Sequence, residues 1–127
     1  TNRKYSDSRL SQRALREIYL KAFEIIVREE QPWAIMSSYN VVNGRRASES
    51  RELLTSILRE EWGYTGLVMS DWWTRGEHYK ELLAGNDLKM ANGYPERVEE
   101  AMKLGAVSRA DVEICARRVV GLILKID

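Results

Sequence analysis

Very little in this 127-residue chain could support disulfide or metal chemistry. There is one cysteine, Cys115, so no internal disulfide can close. Its helically spaced neighbours Val112, Val119 and Leu122 mark it as a core residue rather than a reactive thiol. There is one histidine, His78, with no second histidine or cysteine near it, so a zinc site is not expected, and neither is a cofactor. No apolar run approaches the roughly 18 residues that cross a bilayer. Lysine and arginine total 20 against 19 acids, without a basic stripe or an acidic tail, so nucleic acid is not an expected partner. What is present, 44% hydrophobic and 31% charged residues, is the composition of one globular domain. The chain opens at Thr1 without a methionine and without a recognisable leader. Either a start has been removed or this is a piece of a longer protein. The compartment stays open between cytoplasmic and secreted.

Hydrophobic spacing predicts five helices and about three strands. Leu15, Ile18, Tyr19, Ala22, Phe23 and Ile26 recur at three and four, which predicts one buried helical face over 11–29, capped by Ser11 and stopped by Pro32. The run "WAIMSSYN" over 33–40 reads as a strand opening into a loop, and Asn43-Gly44 as a turn. A second amphipathic helix spans 48–62, with Gly63 behind it. A second strand covers 67–70, a short helix 77–84 ends at Gly85, and 86–90 is a third, short strand. Pro95 opens a helix to about 104, and Ser108 with Asp111 forms a capping-box pattern before the last helix. Alternating strands and helices imply a parallel α/β sheet. The segments "AIMSSYN" and "LVMSDWW" look alike, each passing from apolar residues through Met-Ser into polar or aromatic ones.

In parallel α/β folds chemistry collects at the carboxyl ends of strands, and Asp71 and Tyr39 both fall there. Asp71 could instead cap the following helix. Trp72 and Trp73 could be core, or they could form a flat platform for a sugar ring, with the indole N–H free to donate to a hydroxyl.

Four blocks, "REIYLKAFE" (16–24), "IMSSYNVVNG" (35–44), "LLTSILREEWGYTGLVMSDW" (53–72) and "AGNDLKM" (84–90), resemble the barrel domain of glycoside hydrolase family 3, in the branch of β-glucosidases and β-xylosidases. The resemblance runs over nearly the whole chain. It implies a partial (β/α)8 barrel, residues 1–127 being the C-terminal portion of that catalytic domain, in a retaining β-glycosidase that removes terminal β-linked glucose or a related sugar. Asp71 matches the family's nucleophile, and Trp72 a residue on which the sugar stacks. Tyr39 matches a tyrosine whose hydroxyl touches the nucleophile, and Met36 a methionine lining the same subsite. Double displacement is the implied mechanism.

Several parts of that machinery are absent from the chain. A family barrel has about eight strands, and its substrate-binding lysine–histidine pair has no counterpart here. The general acid, which in the family comes from a second α/β domain, is also missing. Glu77 is a poor substitute, since it reads as the opening of a helix. Asp87 reads as structural. Lys89 could suggest a Schiff base, but an exposed strand-end lysine is the simpler expectation. Trp73 stands where the family often has a small residue, and "MANGYPE" (90–96) replaces a Met-Pro-Gly type run. The piece alone is therefore expected to be inactive. It is also expected to associate with itself or with the rest of the barrel, because a partial barrel exposes sheet edges and apolar faces. The alternative is a non-catalytic carbohydrate-binding or assembly module.

Overall fold

The computed structural model describes residue 2 and residues 4–127. After a two-residue strand β1 (Asp7–Ser8), helix α1 (Gln12–Ala14) starts at Ser11, whose hydroxyl accepts from the Ala14 amide at 3.1 Å. The helix then widens. Leu15–Tyr19 is a π-type turn in which the Leu20 amide donates to the Leu15 carbonyl, and α2 (Lys21–Glu30) follows. One extra residue in a turn rotates everything after it by about 100°. The predicted single buried face over 11–29 is thereby broken. Leu15 and Val27 are buried, whereas Ile18, Tyr19, Phe23 and Ile26 are exposed.

Strands β2 (Ala34–Ser37) and β5 (Leu67–Ser70) pair in parallel. Their register sets the two look-alike segments side by side, with Met36 opposite Met69 and Ser37 opposite Ser70. The expected third strand at 86–90 contracts to a single parallel bridge, Met69 to Leu88. Side chains take part of the ladder's place. The Val68 amide donates to the Asp87 carboxylate at 2.9 Å, and the Ser37 hydroxyl donates to the Asn86 side-chain oxygen at 2.8 Å. A small second sheet was not foreseen. Strands β3 (Val41–Val42) and β4 (Arg45–Arg46) form a hairpin, with β1 parallel to β3. The predicted Asn43-Gly44 turn joins them, and φ of 50° and 83° at those two residues suits the twist of a two-residue hairpin.

The remaining helices follow the predicted order. A wide helix, Glu52–Glu61, closes at Gly63; α3 is His78–Ala84, α4 Pro95–Lys103 and α5 Arg109–Ile126. The capping box at Ser108 and Asp111 is formed in both directions. The larger core gathers Leu54, Ile57, Leu58 and Trp62 against Leu15, Val27 and Val68. A second cluster joins Leu82, Val98, Ala101, Val107 and Cys115. Cys115 is thus a core residue, and burial pushes its thiol up to about 12.

Candidate active site

The candidate site grows from the carboxyl end of β5. Val68 and Ser70 are fully buried, so the strand runs through the interior and surfaces at Asp71. The Asp71 amide donates to the Ser37 carbonyl of the neighbouring strand at 2.9 Å, fixing the backbone there. Its carboxylate Oδ1 accepts from the Trp72 amide at 2.7 Å. Helix α3 begins only at His78, with Glu77 in the cap position, so Asp71 is not that helix's cap. The core reading of the tryptophans also fails, since Trp72 is 40% and Trp73 67% exposed. Trp73 sits in the left-handed region at φ 56°, where a bulky side chain is disfavoured.

Tyr39 lies two residues beyond the end of β2. Its hydroxyl donates to the Trp72 carbonyl at 2.6 Å, one residue along from the carboxylate contact that the resemblance implied. The Lys4 ammonium stands 5.0 Å from the centre of its ring. Asp71, Trp72 and Tyr39 are therefore tied together by two short hydrogen bonds. Met36 is on the adjacent strand, one register step before Ser37, and is exposed. It lines an apolar cleft of about 580 Å³ between β2 and the first helical segments, together with Leu15, Tyr19, Phe23 and Ile35. The cleft is not centred on Asp71, which does not line it.

The other charged residues singled out in the sequence resolve differently. Glu77 opens α3 and pairs with Arg97 at 3.3 Å on the outside. Asp87 is structural. Its buried carboxylate takes Arg59 at 2.7 Å, Arg118 at 2.8 Å and the Val68 amide at 2.9 Å. Burial pulls the Arg59 guanidinium below its ordinary value, and the Asp87 charge opposes that. Lys89 corrects the expectation of an exposed strand-end lysine. Its side chain is 2% exposed, and its Nζ lies 2.6 Å from Oε2 of a fully buried Glu81. Glu81 was not singled out from the sequence. The available signal was an acid immediately before the apolar run Leu82–Ala84 on a short helix. Among the described residues no group of three His, Cys, Asp or Glu side chains is placed to hold a metal ion.

Comparison with known proteins gives this geometry a lineage. The model of the glycosyl hydrolase family 3 N terminal domain matches residues 2–122. The chain is 63% identical over 113 residues to beta-glucosidase A of Butyrivibrio fibrisolvens, covering 89% of this chain and 14% of that protein. It is 42% identical over 126 residues to an exo-alpha-(1->6)-L-arabinopyranosidase of Bifidobacterium longum, covering 98% of this chain and 17% of that one. Beta-glucosidase 3B from Thermotoga neapolitana, solved in complex with glucose, superposes with a TM-score of 0.93 at 41% identity over 98% of this chain and 19% of its own. The chain thus spans less than a fifth of each of these relatives. Its α/β fold is a section of the family's (β/α)8 barrel. The chain belongs to glycosyl hydrolase family 3, within that family's N-terminal domain.

Proposed function

We propose that the segment supplies the attacking carboxylate of a retaining β-glycosidase, and that Asp71 is that group. The observation that carries this reading is the placement of Asp71. It stands at the carboxyl end of an interior parallel strand, anchored by its amide to β2 and beside an exposed indole. In the first step the carboxylate oxygen bonds to the anomeric carbon as the glycosidic C–O bond breaks. The Trp72 amide on Oδ1 leaves Oδ2 to attack. Trp72 offers the flat surface for the ring, Tyr39 holds the Trp72 backbone, and Met36 lines the approach from β2. Protonation of the leaving oxygen needs a second carboxyl group about 5–5.5 Å from the first. That group comes from chain outside this segment, so the 127 residues alone are inactive.

The substrate is a terminal β-linked glucose or a related sugar, in keeping with relatives named for glucosidase and arabinopyranosidase activities. The segment forms the later part of the barrel. The exposed face of Ile18, Tyr19, Phe23 and Ile26 is covered by the rest of the barrel, or by a second copy when that is absent. The same face also favours a second reading, a non-catalytic sugar-binding or assembly module.

Incubating the full-length protein with an activated 2-fluoro-glycoside separates the two readings. The glycosidase reading expects a covalent adduct on the peptide containing Asp71, and loss of both adduct and turnover in Asp71→Asn. Turnover without an adduct at Asp71 refutes the assignment. Sugar binding without turnover supports the module.

A further inference from the structure

The loop between the candidate nucleophile and α3 is held by a buried polar cluster that the chemistry just described does not use. Lys89 has three donors, and all three are engaged: Glu81 Oε2 at 2.6 Å, the Gly76 carbonyl at 3.0 Å and the Thr74 carbonyl at 3.5 Å. The second oxygen of Glu81 accepts from the Thr74 hydroxyl at 2.9 Å. That hydroxyl lies 3.1 Å from the fully buried Ser48 hydroxyl and accepts from the Gly76 amide at 3.2 Å. The residue after Lys89 continues the pattern, since the Met90 carbonyl accepts from the Trp73 amide at 3.3 Å. The loop is therefore anchored at Asp71 by β2, at Trp73 by Met90, and at Thr74 and Gly76 by Lys89. Trp72 lies between these anchors.

We propose that the Lys89–Glu81 pair, with Thr74 and Ser48, is a positioning device for the aromatic platform, fixing the 71–76 backbone so that the Trp72 indole is presented beside Asp71. The inference rests on the glycosidase reading above. An ion pair buried only for stability could be replaced by apolar groups of similar volume at little cost. This one directs its remaining hydrogen bonds to Thr74 and Gly76, in the one loop that carries the exposed Trp72 and Trp73. It also over-determines the backbone around Trp73, whose left-handed conformation persists only where its surroundings enforce it.

The test compares Lys89→Met with the double variant Lys89→Met/Glu81→Gln in the full-length protein. The single variant strands a buried carboxylate and loses thermal stability. The double variant removes that charge and keeps an acceptor for Thr74, but leaves the Thr74 and Gly76 carbonyls untethered. The expected result is a thermal midpoint restored to near that of the parent, while kcat/KM on an aryl β-glucoside stays down by about 10²-fold. Amide exchange across 71–76 is faster in the double variant than in the parent. Recovery of kcat/KM together with stability overturns the proposal, as does unchanged exchange in the loop. The exchange measurement needs no turnover, so it judges the device even if Asp71→Asn shows the nucleophile to lie elsewhere.

Discussion

Replacing Asp87 with asparagine takes away a charge without taking away volume. The carboxylate is fully buried. Oδ2 receives Arg59 at 2.7 Å and the Val68 amide at 2.9 Å, and Oδ1 receives Arg118 at 2.8 Å. Asparagine keeps one of these oxygens. Turned toward Arg59 and Val68, it sets its amide nitrogen against Arg118, donor facing donor. Turned the other way, it strands two buried donors. The first arrangement wins, because the Arg118 side chain is 27% exposed and can swing into water, whereas Arg59 at 9% cannot. A buried guanidinium then has lost its counter-charge. Breaking a buried pair costs about 3–5 kcal/mol, and the two retained hydrogen bonds put this variant near the lower end, at about 3 kcal/mol. That corresponds to roughly 10²-fold faster opening. Native-state amide exchange at β5 in the full-length protein reads this unit directly, without requiring the whole molecule to unfold in two states. A change of less than about fivefold would refute the reasoning. So would a larger effect from Arg118→Leu than from Asp87→Asn, because the argument depends on Arg59 being the trapped partner.

Ile57 is fully buried in the larger core, so Ile57→Ala should destabilise by about 2–5 kcal/mol, measured by the same exchange method. Gly66→Ala should also destabilise, since a Cβ there would lie 2.7 Å from the Pro32 carbonyl oxygen; a lowered thermal midpoint checks it. Burial holds His78 below its ordinary value, and its Nδ1 accepts from the Tyr94 amide at 3.0 Å. The unfolded chain binds that proton more readily, so this contribution to stability is complete above the unfolded value of about 6.5 and is lost as pH falls through the folded one. His78→Gln should flatten the acid side of a stability–pH curve. The Cys115 thiol, pushed up to about 12, should resist iodoacetamide in the native protein at pH 8 and react once denatured.

Element order was legible because caps and stops are local. Ser11, Gly63, Gly85, Pro95 and the Ser108–Asp111 pair act within a turn of themselves, and each marks its boundary in the structure. The strand ends that place Asp71 and Tyr39 were legible for a similar reason, the change from apolar to polar residues after Met-Ser. Two things were not local. The wide turn at Leu15–Tyr19 shifts the helical phase, and no fixed spacing rule registers an inserted residue. The Lys89–Glu81 pair joins residues that both look solvent-bound when read singly, and only the tertiary fold, which brings Glu81 of α3 against the residue after Leu88, buries them together. The third strand failed in part for the same reason, because Asn86 and Asp87 spend side chains where a ladder would use backbone.

A left-handed backbone costs a residue other than glycine or asparagine about 1–2 kcal/mol. Trp73 bears that penalty with an indole 67% exposed, so its side chain recovers little by burial. Asparagine or glycine at this position would make a hardier protein with a barer rim. On the glycosidase reading proposed above, with the Trp73 indole beside the sugar platform, selection for heat resistance and selection for grip on a glycoside pull this one residue in opposite directions. A library screened only by heating should discard the tryptophan early, and one screened on oligosaccharides should keep it.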